Sequence, residues 1–549
     1  MKKYTFFALL ASFALLASSC IKETFPTSQV STEQLATSSS ALEASVNGIP
    51  AQLVQGYLIY GTQTYEYDMA YPGIMMALDQ CAGEIIDNDE DGSGYDWYSF
   101  WSGYGNFSMG PKTARSYVPW RAFYMFIKSA NDIIGAIDDA TATELQAQYK
   151  GMAYANRAWQ YLNLVRIYEY KAPSDPAVSA NYTADTDKIL GLGVPIVTEE
   201  TTLEQSKNNP RAKVEEVYDL IFSDLDKAEA ALENYKEKNL LFPSLAVVYG
   251  LKARAFLERG YAGDAGAFEK AADYATKAIT ISGCTPLTME EWHDPKSGFN
   301  TPESNNSWMW SIKYSEETMG NLCTFVGHMS VEPTWTAYAY GPCRGIPSNL
   351  YNTIPNSDWR KYSWIDPKGM DFYNYQTNRD LFDPESKPAQ PYTSLKFRPA
   401  GGDTENYSKG GASSVPLMRV EEMYFIKAEA LTKSGSPELG VQALKDIMIT
   451  RNSSYAFSST EEQAVIEEIL RQKRIEFWGE GIIFFDLKRH AAGQEHVYEG
   501  TNAFGGQRFN CKGVCPWWNW TIPQSELEGN PALEGFNNPD PTGSVKELL

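Results

Sequence analysis

Two segments of this chain repeat one layout: a helix with small side chains on one face, a glycine turn, and a second helix with an apolar face. In the first copy the turn follows Gly260, which is predicted to end the helix, and the face residues are Ala246, Gly250, Ala253 and Leu257, then Ala271, Ala275 and Ala278. In the second copy the corresponding residues are Met423, Tyr424, Ala428, Ala430 and Leu431, the turn Ser434-Gly435-Ser436, then Val441, Leu444 and Ile447. Steps of three and four residues indicate one helix face, and this layout is typical of a tetratricopeptide unit. The sequence therefore predicts a mainly α fold built as a tetratricopeptide-type helical-repeat scaffold, an α/α superhelix.

Further helical periodicity lies on both sides of an irregular stretch. The helical segments have their apolar faces at Tyr154, Ala158, Tyr161, Val165 and Tyr168, at Val214, Val217, Leu220 and Ile221, and within residues 461–478. Between Trp292 and Leu417 the periodicity is lost, and the segment is rich in Pro, Gly, Asn and aromatic residues. Long irregular segments usually carry function. We therefore predict a loop-rich insertion at 292–417 that forms the ligand surface, between helical regions at 39–291 and 418–549.

The N-terminus has the pattern of a bacterial lipoprotein signal. Lys2 and Lys3 precede an apolar run at 6–16, and the small residues Ala17-Ser18-Ser19 lead to Cys20. The pattern predicts a signal peptide at 1–19 and lipidation of Cys20, followed by a flexible Ser- and Thr-rich tether at 20–38. Several acyl chains anchor a protein firmly, because each buried methylene contributes about 0.8 kcal/mol. An ordinary secretory signal with an incidental cysteine is the alternative.

Charge and reactive residues exclude several classes of protein. The net charge of −22 repels polyphosphate, so nucleic acid is not an expected partner. The chain has only 4 His residues, which leaves little material for a metallohydrolase or a Ser-His-Asp site, and no cofactor is predicted. Apart from Cys20, six cysteines in so long an exported chain do not form a disulfide scaffold. Cys511 and Cys515 are close enough in sequence to bridge a loop.

Six segments, taken in order, carry a family resemblance. They are residues 157–168, the run Gly193-Val194-Pro195-Ile196-Val197, and residues 214–228, 417–431, 474–489 and 522–531. Together with the Cys20 signal they resemble the SusD/RagB family of outer-membrane nutrient-binding lipoproteins. The resemblance implies a SusD-like helical scaffold and a non-catalytic protein, lipid-anchored in the outer membrane and facing the cell exterior. It also implies that the protein binds oligosaccharide and delivers it to a SusC-like TonB-dependent transporter.

Most charged residues within these segments are predicted to be structural. We expect ion-paired or solvated helix residues, not catalytic groups, at Arg419, Glu422, Arg474, Glu476 and Asp486. Glu480-Gly481 is expected to end the last of these helices at the glycine.

Aromatic residues make up 13% of the chain, more than a core of this size needs. The Gly- and Ser-rich loop 87–107 contains Trp97, Tyr98, Trp101 and Asn106. Sugar rings stack their C–H faces on Trp and Tyr, which lose little rotamer entropy on binding. The family resemblance implies ligand contacts by Trp and Asn in this loop. We therefore predict that these four residues bind the ligand. The alternative is that the rings pack the loop onto the helices.

A second group of candidate ligand residues lies in the insertion. It consists of Trp335, Tyr338, Tyr340 and Arg344, with Tyr351 as a further candidate. Near the C-terminus the sequence instead predicts packed core at Trp517, Trp518 and Trp520. These three residues adjoin the closing segment of the family resemblance.

The start of the aromatic loop also resembles half of a calcium-binding loop. Asp87, Asp89 and Asp91 alternate, and Gly92 takes the sixth position. Position twelve is Tyr98 and not the bidentate Glu that the motif needs. A plain acidic turn is the favoured interpretation.

Two other functions are also compatible with the sequence. The same architecture could capture peptides, because aromatic stacking and an acidic surface suit both ligands. A glycoside hydrolase would need two carboxylates at a suitable separation. With 69 acidic residues some pair always meets that distance, and no motif marks one.

Overall fold

Long helices dominate the structure, a computed structural model that describes residues 35, 38–55, 70–88, 109–175, 186–236, 239–317, 324–335, 343–369, 375–383, 389–503 and 507–544. In the first helical region the helices are α1 (Ser39–Gln52), α2 (Tyr71–Ala82), α3 (Ala114–Ala136), α4 (Glu144–Tyr168), α5 (Leu203–Ser206), α6 (Val214–Leu232), α7 (Leu245–Tyr261), α8 (Ala267–Ser282) and α9 (Met289–His293). The later helices are α10 (Phe325–Met329), α11 (Ser348–Asn352), α12 (Tyr407–Gly410), α13 (Val420–Lys433), α14 (Pro437–Met448), α15 (Glu462–Glu476), α16 (Ile483–His490) and α17 (Gln524–Gly529).

Short strands form three two-stranded antiparallel ribbons. The strands are β1 (Ile86–Asn88) with β3 (Cys343–Gly345), β2 (Trp308–Lys313) with β4 (Ser414–Arg419), and β5 (Gln494–Glu495) with β6 (Asn510–Cys511). The β2–β4 ribbon brings together the two ends of most of the irregular segment. The chain enters this segment after β2 and returns to the helices through β4. In between, the described residues form short helices, the three-residue strand β3, turns and loops.

The predicted helical repeats are confirmed. Going along the chain, α3 packs on α4, α4 on α6, α6 on α7, α7 on α8, α8 on α13 and α13 on α14. The small-residue face of α7 is buried, and between α4 and α6 a Cβ on Gly151 would come within 2.7 Å of the Ala231 Cβ. Close approach of neighbouring helices, which needs small residues, therefore builds the scaffold.

One turn differs from the prediction. Helix α7 does not end at Gly260 but continues to Tyr261, and the left-handed turn residues are Gly263 and Gly266. Gly260 lies inside the helix, where a Cβ would come within 2.6 Å of the Phe268 ring. Because glycine has no side chain, the first turn of α8 can pack directly against α7 at this position. The end predicted at Gly481 is also wrong, because α15 ends at Glu476, and Gly479 and Gly481 take left-handed conformations in the turn beyond it.

The core absorbs most of the aromatic side chains that the structure describes. Trp517, Trp518 and Trp520 are fully buried, as predicted. Of the twelve tryptophans in the described ranges, eleven are buried and Trp359 is half-buried. Apolar burial at about 25 cal/mol per Å² makes such rings large contributors to stability. The high aromatic content therefore serves mainly to fill the interior of the described part of the chain.

Charged side chains join the irregular segment to the C-terminal helices in a buried group that we call the core ion cluster. Its cations are Arg360, Lys396, Arg419 and Arg451, and its carboxylates are Asp358, Glu421, Glu476 and Glu480. Every member is buried. The four positive and four negative charges balance, which reduces the cost of removing them from water.

The ion pairing predicted for the family-like segments is confirmed. Arg419 and Glu476 belong to the core ion cluster, and Glu422 pairs with Arg254 at 2.5 Å. Asp486 pairs with Lys473 at 2.6 Å. Arg474 pairs with Glu84 at 2.9 Å. These pairs lie mostly in the interior and are not on solvated helix faces.

No helix within the described ranges is both long and apolar enough to cross a membrane. Residues 1–34, with the predicted signal and Cys20, lie outside those ranges.

Candidate functional site

The β1–β3 ribbon joins the two predicted ligand loops at one place. Ile86 pairs with Gly345, Asp87 with Arg344, and Asn88 with Cys343. Because the strands are antiparallel, the chain leaves β1 and enters β3 at the same end of the ribbon. Loop 87–107 begins there, and the segment that contains Tyr338 and Tyr340 ends there. Two segments that lie more than two hundred residues apart in sequence thus share one base.

Most of the predicted ligand residues lie outside the described ranges. These are Trp97, Tyr98, Trp101, Asn106, Tyr338 and Tyr340, and the calcium candidates Asp89 and Asp91. Asp87 is described only through its backbone in β1. All of these assignments stay predictions.

Two residues predicted to bind the ligand, Trp335 and Arg344, are buried in the structure. Trp335 is only 5% exposed, and its ring packs so closely on Gly410 that a Cβ there would collide with it. Arg344 is fully buried, and its Nη1 donates to Nδ1 of His328 at 2.8 Å. Burial, followed by the charge of Arg344, holds the pKa of His328 well below its ordinary value, so its ring is neutral and can accept this bond. Both side chains are therefore part of the interior, and Arg344 belongs to strand β3 at the base of the loops.

Tyr351, the further candidate, is also buried. Its hydroxyl donates to Asp366 at 2.6 Å, and its ring meets Tyr392 edge to face at 5.3 Å. Tyr392 is half-buried beside β3, with a φ of +68° that is rare for a non-glycine residue. A Cβ on Gly345 would come within 2.6 Å of its carbonyl oxygen. Sequence reasoning missed Tyr392, because only its contact with β3 brings it to the site.

Side chains of the C-terminal region bind the two residues that lead into β1, Gly83 and Glu84. The Trp478 indole Nε1 donates to the carbonyl of Glu84 at 2.6 Å, and the Glu84 carboxylate accepts from Arg474 at 2.9 Å. Nε2 of His496 lies 2.9 Å from the carbonyl of Gly83. These contacts fix the strand from which the aromatic loop leaves, so the base of the loop is a rigid support.

The described residues contain neither a candidate metal site nor a disulfide bond. They contain no group of three His, Cys, Asp or Glu side chains that could hold a metal ion. Cys511 and Cys515 are buried free thiols, so the Cys511–Cys515 bridge considered from sequence is not formed in this structure. Burial, then the nearby Cys511, raises the pKa of the Cys515 thiol well above its ordinary value, and a neutral thiol is a poor nucleophile.

Comparison with protein families gives matches to two models over most of the chain. Residues 62–257 match a model described as starch-binding and associating with the outer membrane, and residues 310–540 match the SusD family model. The SusD-like protein P38 of Formosa agariphila is 24% identical over 419 residues, which cover 70% of this chain and 74% of the relative. A SusD-like protein of Bacteroides ovatus is 23% identical over 381 residues, or 67% of this chain and 64% of the relative.

Solved structures share the fold. A SusD-like carbohydrate binding protein from Bacteroides vulgatus superposes with a TM-score of 0.67 at 20% identity, over 90% of this chain and 96% of that one. A SusD superfamily protein from Bacteroides thetaiotaomicron superposes with a TM-score of 0.64 at 21% identity, over 93% and 100% of the two chains. The helical-repeat scaffold with its large irregular segment is therefore the one found in those proteins.

Proposed function

The chain belongs to the SusD family, and from that premise we propose that it is a non-catalytic protein that captures oligosaccharide at the cell surface. Its ligand surface is the pair of loops that leave the β1–β3 ribbon. Cys20 carries the lipid anchor in the outer membrane, and the captured glycan passes to a SusC-like TonB-dependent transporter. The match to a starch-binding, outer-membrane-associated family supports the ligand class and the location.

The observation that carries this proposal is the shared base of the two loops. Strand pairing between β1 and β3 brings the aromatic loop beside the second candidate segment. All tryptophans in the described ranges are buried, except Trp359, which is half-buried. Trp97 and Trp101 lie four residues apart in a Gly-rich, polar segment without apolar periodicity, so no sequence pattern requires both in the core. Two indoles in such a segment favour a stacking surface for sugar rings.

Replacing Trp97 or Trp101 by alanine is expected to weaken glycan binding about fivefold or more while leaving the melting temperature unchanged. A stacking ring contributes on the order of 1 kcal/mol beyond its burial, which corresponds to that factor. Calorimetry of both variants, against a panel of purified glycans that includes starch oligosaccharides, measures the loss.

Phe536→Ala is the matched control, because it removes one aromatic ring that is 38% exposed elsewhere on the surface. Unchanged affinity together with a lowered melting temperature in the Trp variants would show that the rings pack the loop. Binding of peptides in the same assay, with no binding of glycans, would change the assigned ligand from oligosaccharide to peptide. New reducing ends released from a polysaccharide, and lost on mutating one carboxylate, would make the protein a hydrolase.

Cys20→Ala is expected to release the protein from the membrane fraction completely. Without the thiol no acyl chain can be attached, and the anchoring free energy of the chains is lost. Fractionation of cells that express the full-length variant, with an antibody to the folded body, measures the distribution. Ser19→Ala, which keeps the thiol and a small residue before it, should stay with the outer membrane. A Cys20→Ala protein that remains there after washing would disprove the anchor.

A further inference from the structure

We propose that Tyr392 is the contact residue of a second carbohydrate site, where its ring packs on a sugar unit outside the two loops. Tyr392 lies between α11 and α12 in sequence and is half-buried beside β3. The inference shares the carbohydrate class of the proposed function, but it does not depend on the residues of the loop site. Its main evidence is a tight turn that holds a tyrosine in a backbone conformation that favours glycine.

Residues 390–393 form a type II turn. The N–H of Thr393 donates to the carbonyl of Gln390 at 3.3 Å, and the Thr393 hydroxyl donates to the same oxygen at 2.6 Å. Pro391, whose ring fixes φ at about −65°, takes the second position, and Tyr392 takes the third with a φ of +68°. The third position of this turn normally holds Gly or Asn. Tyrosine is strained there, because its Cβ crowds the following carbonyl oxygen.

The surrounding backbone holds Tyr392 in this strained conformation. Its N–H donates to the carbonyl of Ile365 at 2.7 Å, and its carbonyl accepts from the N–H of Ile346 at 3.1 Å. Gly345 in β3 leaves room for this carbonyl, since a Cβ on Gly345 would come within 2.6 Å of its oxygen. Strained residues concentrate at binding sites and clamps. A glycine would form the same turn without strain, so the tyrosine side chain is the feature that the turn retains.

The Tyr392 side chain is anchored at its ring and open at its hydroxyl. Its ring meets the fully buried ring of Tyr351 edge to face at 5.3 Å. The hydroxyl forms no hydrogen bond within the described part of the chain, and it is not shielded from solvent. A ligand can therefore reach both the uncovered part of the ring and a hydrogen-bonding group.

A second half-buried tyrosine, Tyr498, is fixed to the same short helix. Its hydroxyl accepts from the N–H of Asn349 at 3.2 Å and lies 3.1 Å from the hydroxyl of Ser348, at the start of α11. Tyr351, which packs on Tyr392, belongs to this helix too. Two tyrosine rings on one support suit a sugar, whose C–H face is apolar and whose hydroxyls both donate and accept.

Fluorine NMR of the full-length protein labelled with 3-fluorotyrosine tests the site directly. The chain has 34 tyrosines, so the spectra of Tyr392→Phe and Tyr498→Phe assign the two resonances by difference. The probes are glucose, galactose, mannose, xylose, maltose and cellobiose, each raised to concentrations on the order of tens of millimolar to cover weak binding. We expect at least one sugar to shift the Tyr392 and Tyr498 resonances saturably, also in a Trp97→Ala, Trp101→Ala double variant.

Tyr392→Asn should weaken the sugar response at Tyr498 about fivefold or more, because it removes the contact ring. Asparagine tolerates the left-handed backbone, so the turn is retained. Tyr407→Asn, which removes another half-buried tyrosine ring at the start of α12, is the matched control and should leave the response unchanged.

Three results would overturn the second site. They are a Tyr392 resonance that no sugar moves, a response that disappears in the loop double variant, and an undiminished response at Tyr498 in Tyr392→Asn. The first two are measured without altering Tyr392, so they decide the question whatever the stability of Tyr392→Asn. A saturable response at Tyr392, with glycan binding unaffected by loss of Trp97 and Trp101, would leave the second site standing and contradict the loop site.

Discussion

Replacing Glu476 by glutamine is expected to lower the free energy of unfolding by about 3–5 kcal/mol, the usual cost of removing one partner from a buried ion pair. The Glu476 carboxylate is fully buried and contacts three guanidinium groups, with Arg451 at 2.8 Å, Arg360 at 3.1 Å and Arg419 at 3.2 Å. Without its charge the core ion cluster keeps four cations and three carboxylates, so one buried positive charge is left without compensation. Urea unfolding followed by circular dichroism measures the change.

The same substitution should change how stability depends on pH. Burial alone would raise the pKa of Glu476, but the charges of Arg451 and Arg419 outweigh it and hold the pKa well below its ordinary value. A carboxyl with a depressed folded-state pKa stabilises the protein above its unfolded pKa of about 4.3, and this contribution is lost as pH falls toward the folded value. The difference in unfolding free energy between wild type and Glu476→Gln should therefore be constant near neutral pH and shrink below about pH 4.

The matched control for Glu476→Gln is Asp132→Asn, which breaks the exposed pair between Lys128 and Asp132. Exposed pairs contribute about 0–1 kcal/mol. Equal, small losses in both variants would show that the core ion cluster does not stabilise the junction between the irregular segment and the C-terminal helices.

Trp478→Ala is expected to cost about 3–5 kcal/mol and to weaken glycan binding as well. The loss of stability is the usual cost of removing a buried tryptophan ring. Trp478 is fully buried, meets Trp364 edge to face at 5.7 Å, and donates to the carbonyl of Glu84, two residues before β1. Its removal leaves a cavity and frees the strand that carries the aromatic loop. Thermal melts and calorimetry on the same preparation measure the two effects.

Trp478→Phe separates ring packing from the hydrogen bond. It retains much of the apolar ring but leaves the Glu84 carbonyl without this donor, at a cost of about 1–3 kcal/mol. Trp359→Ala is the control for loss of an indole, because Trp359 is half-buried and far along the chain from β1. Stability that falls in Trp478→Ala while binding of the remaining folded protein is unaffected would contradict the support of the loop base by Trp478.

Local patterns in the sequence predict the helices well. The faces at 154–168, 246–257 and 423–431 are helical and largely buried, since the period of an amphipathic helix is set by residues three and four positions apart. The end of α7 was predicted wrongly because Gly260 is needed for contact with Phe268 and not for a turn. A glycine looks the same in sequence whether it bends the chain or admits a neighbour.

The candidate site depended on information that no local pattern contains. Trp335 and Arg344 stand in an irregular, polar segment, yet both are buried, because other parts of the chain cover them. Tyr392 has no periodicity that marks it, and its place at the site follows from its contact with Gly345 in β3. Burial is a property of the neighbours that folding brings to a residue, so single positions in irregular segments are weakly predictable.

The helical-repeat class, the order of the family-like segments and the structural role of the conspicuous charges could all be inferred from the amino-acid sequence. Each of these depends on residues a few positions apart or on residue type. The shared base of the aromatic loop and the insertion could be seen only in the folded chain, because Asp87 and Arg344 are neighbours on paired strands although they are far apart in sequence. The same is true of the buried charge cluster, since Arg360, Arg419, Arg451 and Glu476 come from separate elements. Long-range contacts of this kind form only when the stacked helices bring their ends together.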